Sequence, residues 1–82
     1  MGYHTKTIKK GILGTSSKIQ EELDELIDAE SQECKILALC ELSDLVGAIE
    51  SYLINNYPNI SINDLMQMSN LTKSSFNDGT RT

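Results

Sequence analysis

The sequence predicts an all-α fold: a small helical bundle of two main helices plus a short third, completed by oligomerisation. Three observations predict it. The 82 residues hold one Pro and five Gly, most of the Gly outside the apolar segments, which favours helices over many short strands. Apolar residues recur at helical spacing along two long segments. The second of these is apolar on more than one face, so one neighbouring helix covers only part of it and a second chain covers the rest. A single domain of this size buries a limited core and often leans on a metal, disulfides or a partner chain.

Residues 1–14 read as a polar, Gly-containing arm, and residues 15–82 as the helical domain. In TSSKIQEELDELIDAESQ, Ser17 with Gln20 three later forms a capping-box pattern. Ile19, Leu23, Leu26 and Ile27 then mark a first helix over about 16–31. Residues 33–55 make the second, with Ile36, Leu37, Leu39, Cys40, Leu42, Leu45, Val46, Ile49, Tyr52 and Leu53 as its apolar positions. NNYPN breaks it, and Ser61 with Asp64 forms a second capping-box start. Leu65, Met66, Met68 and Leu71 predict a short third helix over about 62–72 or further, followed by a polar tail with one aromatic, Phe76.

A net charge of −5 and a pI near 4.6 argue against nucleic-acid binding through a basic surface. Glu41, Asp44 and Glu50 interrupt the longest apolar stretch, so no membrane span is expected. The N-terminus is basic but lacks the apolar run of a secretory signal, and the cytoplasm follows as the default location. Cys34 and Cys40 lie six apart and point to different sides of one helix, which rules out a bridge between them. Zinc-type spacing is absent, and both are expected as small apolar core residues. His4, the single histidine, sits in the polar arm and reads as a solvated side chain rather than a catalytic one. There is no P-loop, and no Cys-His or Ser-His nucleophile arrangement is supported.

The distribution of charge is more informative than its sum. Residues 19–72 hold eleven of the twelve acids and one base, Lys35. Glu22 and Glu25 are three apart on the first helix, as are Glu41 and Asp44 on the second. That spacing stacks each pair on one face, and two antiparallel helices can bring the four carboxylates around one point. Hard oxygen donors in such a set suit Mg²⁺ or Mn²⁺. The same four acids also fit the wetted faces of two ordinary amphipathic helices, and spacing alone leaves both readings open.

KIQEELDEL followed by ELSDL resembles the MazG-like all-α nucleoside triphosphate pyrophosphohydrolases. The pattern is Lys18, then Glu21-Glu22-x-x-Glu25, fifteen intervening residues, then Glu41-x-x-Asp44. GAIESYL continues the family's second helix, and NDLMQMSNLTKSSFNDGTR is similar to the closing segment of small members, with Lys73, Phe76, Gly79 and Arg81 in order. The resemblance covers about residues 15–82. It implies Mg²⁺-dependent cleavage of a (d)NTP to the monophosphate and pyrophosphate, with Mn²⁺ an alternative ion; the apolar imbalance of the second helix adds a homo-oligomer, dimer or tetramer. Glu22, Glu25, Glu41 and Asp44 would hold the metal. Glu21, or a ligating carboxylate such as Glu25, would act as general base. Lys18, Lys73 and Arg81 would neutralise phosphate charge, and Phe76 would either contact base or sugar or pack the tail. The chain departs from larger members in having three helices and few aromatics. Two alternatives stand beside this reading: a non-catalytic acidic interaction or inhibitor protein, and a phosphoribosyl-ATP pyrophosphohydrolase.

Overall fold

Thr15 opens the first helix. Its backbone is extended, and its hydroxyl accepts from the Ser17 N–H at 3.3 Å. The expected Ser17–Gln20 capping box does not form, because the Ser17 hydroxyl instead accepts from the Ile12 N–H at 3.0 Å and ties the arm to the helix start. In the computed structural model, which describes residues 4–77, α1 spans Ser16–Ser31, α2 Lys35–Asn56 and α3 Ile62–Asn77. No strand occurs among the described residues. The fold is all-helical, and α1 packs along α2.

Three residues join α1 to α2. Glu33 takes a left-handed conformation at φ 57°; its N–H donates to the Glu30 carbonyl at 3.0 Å, and the Cys34 N–H reaches the Ala29 carbonyl at 3.5 Å. These bonds form a helix-ending motif that normally carries Gly at the left-handed position. The chain reverses there, so the two helices run antiparallel. α2 starts two residues later than expected, and Cys34 caps it without a side-chain bond. After α2, a turn carries the Ile60 N–H to the Tyr57 carbonyl at 2.9 Å. The second capping box is present: the Ser61 N–H donates to Asp64 at 2.9 Å, and the Asp64 N–H donates to the Ser61 hydroxyl at 3.1 Å. α3 continues to residue 77 and touches only α2, lightly.

The inner stripe of α1 is mostly acidic. Glu21, Glu22, Asp28 and Ala29 are its buried residues, with Glu25 half-buried between them. Leu23 and Ile27, marked by periodicity, are exposed. On α2 only Glu41, Ala48 and Leu53 are buried, and Leu37, Leu45, Ile49 and Tyr52 are half-buried beside them. Both cysteines are exposed, which corrects their assignment to the core. Cys34 precedes the first turn of α2, and Cys40 lies beside Glu41 on an exposed flank of it.

The arm lies against the helical hairpin. The Gly14 carbonyl accepts from the side-chain amides of Asn55 and Asn56 at 3.0 and 3.1 Å, and Gly14 has φ 89°. Gly11 approaches the start of α1 so closely that a Cβ would run into the Ser17 carbonyl. These two glycines let the arm fold back along the bundle towards the acidic stripe.

Candidate metal centre

Asp28 is the most deeply buried large side chain among the described residues, 1 % exposed. Four donors surround its carboxylate: the Thr5 N–H (2.9 Å), the Thr5 hydroxyl (2.5 Å), the Gln32 amide (3.0 Å) and Nδ1 of His4 (2.9 Å). The two bonds from Thr5 outweigh the cost of burial and, with His4 and Gln32, hold the carboxyl well below the usual aspartate range. Asp28 thereby anchors the arm and sets the plane of the His4 ring.

His4 is not the solvated side chain expected of a polar arm. Its Nε2 lies 3.1 Å from Glu41 Oε2 and 4.0 Å from Glu25 Oε2. Carboxylates only accept, so a ring bonded to both Asp28 and Glu41 in their ionised forms carries two protons. Burial works against the charged ring, but the bond to Asp28 and the charges of Glu41 and Glu25 prevail, and its pKa is raised.

The four acids expected to meet do so in overlapping groups. Glu22, Glu41 and Asp44 bring one donor oxygen each within 4.8 Å of one another. Glu25 joins Glu21 and Glu22 on one side, and His4 and Glu41 on the other, at the same spacing. Oε1 of Glu22 and Oε1 of Glu41 are buried with no hydrogen-bond partner. Two orphaned carboxylate oxygens in one cluster are costly unless a cation meets them. Burial, then the neighbouring Glu22 and Glu41, push the Glu25 carboxyl up to about 7, with His4 opposing. Burial likewise raises Glu41, with His4 opposing and Asp44 adding to the rise. A divalent ion would relieve this crowding, and hard oxygen donors from both helices fit Mg²⁺ or Mn²⁺.

Glu21 has a different environment. It accepts from the Gly11 N–H at 2.8 Å and from Lys18 at 3.1 Å, with Lys10 at 3.7 Å. Burial would raise its pKa, but these donors and cations lower it, which makes it a weak base. Lys18 bridges Glu21 and Glu22 at 3.1 Å each. Its ammonium is engaged by carboxylates, chiefly Glu22, and its pKa is raised.

An open cleft of about 570 Å³ runs past Glu25, Glu41 and Asp44 on the helix side and His4, Lys6 and Lys10 on the arm side. Carboxylates on one wall and lysines on the other suit a metal-bound polyanion. Lys73 is exposed on α3 and does not line this cleft. Phe76 falls on the last turn of α3, and Arg81 lies outside the described residues.

Sequence reasoning missed Asp28, Lys6 and Lys10 and misjudged His4. Asp28 had a signal: it extends the stripe of Glu22 and Glu25 by a further i to i+3 step. Nothing local in the arm announced that His4 returns to α1. No protein-family model matches the chain, and no curated protein or solved structure does either.

Proposed function

We propose that the chain is a MazG-like nucleoside triphosphate pyrophosphohydrolase, Mg²⁺-dependent and acting in the cytoplasm. It would cleave a (d)NTP to the monophosphate and pyrophosphate. The observation that carries this reading is the pair of orphaned, buried oxygens of Glu22 and Glu41, one from each helix, within a cluster that opens on a cleft.

Glu22, Glu25, Glu41 and Asp44 would hold the ion, which when bound supplies Lewis-acid polarisation of a phosphoryl oxygen and a more acidic water. Of the two candidate bases, Glu25 suits the task better. It lines the cleft, whereas the Glu21 carboxylate is held by the Gly11 N–H, Lys18 and Lys10. Lys6 and Lys10 stand at the cleft for phosphate charge. Lys18 orients Glu21 and Glu22, so its role in this reading is positioning rather than substrate contact.

The working form would be a homo-oligomer. The outer face of α2, with Ile36, Leu39, Val46 and Ile54, is the surface best suited to a second copy.

Pyrophosphate release from a panel of NTPs, dNTPs and phosphoribosyl-ATP, with and without Mg²⁺, tests the reaction. Metal-dependent release from a nucleoside triphosphate, lost in Glu41→Gln, is the expected result. Release from phosphoribosyl-ATP alone would change the substrate. No release by folded, metal-supplied protein would overturn the enzyme reading. A charge-mimicking inhibitor would carry its acids on an exposed surface, and here Glu21, Glu22, Asp28 and Glu41 are buried.

A further inference from the structure

We propose that His4, delivered by the arm and oriented by Asp28, is a nitrogen ligand of this centre, and that the position between His4, Glu25 and Glu41 takes a first-row transition ion such as Mn²⁺ or Co²⁺ in preference to Mg²⁺. This rests on reading the carboxylate cluster as a metal centre.

Three features carry it. The first is spacing. An ion held by each donor at roughly 2.1 Å brings neighbouring donors to about 3 Å of one another and opposed donors to about 4.2 Å. Nε2 of His4 stands 3.1 Å from Glu41 and 4.0 Å from Glu25. The second is orientation. A metal-binding histidine usually gives its other ring N–H to a carboxylate, which fixes the tautomer and ring plane. Nδ1 faces Asp28 at 2.9 Å, and three further hydrogen bonds lock that carboxylate. The third is Glu41 itself, which lines the cleft and, beside the Oε2 that faces His4, keeps a buried Oε1 without a partner.

The two groups that share Glu41 then differ in chemistry. Glu22, Glu41 and Asp44 offer oxygen only, the donor type of Mg²⁺. His4, Glu25 and Glu41 offer one nitrogen and two oxygens. Imidazole adds affinity for later divalent ions and little for Mg²⁺. The alternative is that His4 is a permanent counter-ion, a charged ring that neutralises Glu41 and never meets a metal.

Co²⁺ separates the two. The untagged full-length chain, loaded with Co²⁺, is to be examined by proton NMR in H₂O and D₂O. His4 is the single histidine, so ligation through Nε2 predicts one exchangeable imidazole N–H resonance shifted far outside the diamagnetic range. Alongside, His4→Ala is expected to lose on the order of tenfold in Mn²⁺ and Co²⁺ affinity, as for loss of a ligand or its support, with Mg²⁺ affinity changed much less. Co²⁺ binding with no such resonance and an unchanged Mn²⁺-to-Mg²⁺ ratio in His4→Ala would overturn the proposal and leave the carboxylate centre standing. Failure of the wild-type chain to bind any of the three ions would overturn both. The resonance is read on the unmutated chain, so a variant that fails to fold does not spoil the test.

Discussion

The two faces of α2 hold the reverse of what an ordinary bundle gives them. The face towards α1 contains Glu41, 5 % exposed and with one oxygen unpartnered. The face away from α1 carries Ile36 and Leu39, 78 % and 68 % exposed. Water usually hydrates the charge and contact hides the hydrocarbon. The difference teaches that burial here follows neither charge nor hydropathy alone. In the proposed reading, a cation would complete the inner face and a second copy the outer one.

The sharpest way to break the comparison is to neutralise the inner face alone. Glu41→Gln is expected to lower metal-dependent turnover by about a hundredfold or more, the scale of losing a group that stabilises transition-state charge. The metal-free variant should melt no lower than the wild type, because one of several crowded carboxylates has been removed. A steep loss of metal-free stability would mean that Glu41 is a structural ion-pair partner of His4 and not a ligand.

The outer face is tested by placing charge on it. Leu39→Glu should weaken self-association by about a hundredfold, since a desolvated, unpaired charge at an interface costs several kcal/mol. Sedimentation across a concentration series reads this effect. Metal affinity per chain should hardly change. A variant that still associates would move the interface to α3, where Met66, Met68 and Leu71 are also exposed.

A third test uses pH. The Glu25 carboxyl titrates near 7 in the folded chain, against about 4.3 when unfolded. The folded state therefore binds the extra proton across that window, and stability falls as pH rises through it. His4 acts in the same direction: its pKa is raised, and its contribution is lost above its folded value. The melting temperature of the metal-free protein should accordingly fall from about pH 5 to about pH 8. Mg²⁺ should flatten the fall. Asp28, shifted the other way, matters only below about pH 4.

The smallest effect concerns the turn that sets the two helices face to face. Glu33→Gly should stabilise the protein by about 0.5–1 kcal/mol, because Gly adopts the left-handed conformation without the side-chain clash. Chemical denaturation resolves a change of that size. Glu33→Ala should not reproduce it.

Much of the fold was legible because helices announce their period and ends. Residues 16–31, and Ser61 with Asp64, behave as their spacing suggests. The first break was legible but its extent was not: α2 was expected from 33 and starts at Lys35, since Glu33 is not the Gly that normally marks such a turn. Periodicity also groups residues onto faces without saying which face is inward. Leu23 and Ile27 share a face, yet it is Glu21, Glu22 and Asp28 that turn inside. The four acids were found because their spacing is local. His4 was misjudged because its partners are 24 and 37 residues away, beyond the reach of any local pattern.

That separation has a consequence for how the molecule assembles. The three-residue link between α1 and α2 makes the hairpin a low-contact-order unit, closed quickly by neighbours in sequence. The arm meets the larger loop-closure entropy, and its contacts with Asp28 and Glu41 gain nothing until both helices exist. On the ribosome, His4 emerges before either of its partners. A side chain made before both of its partners is therefore among the last to find its position, and the cluster is closed by the segment that precedes the helices it joins.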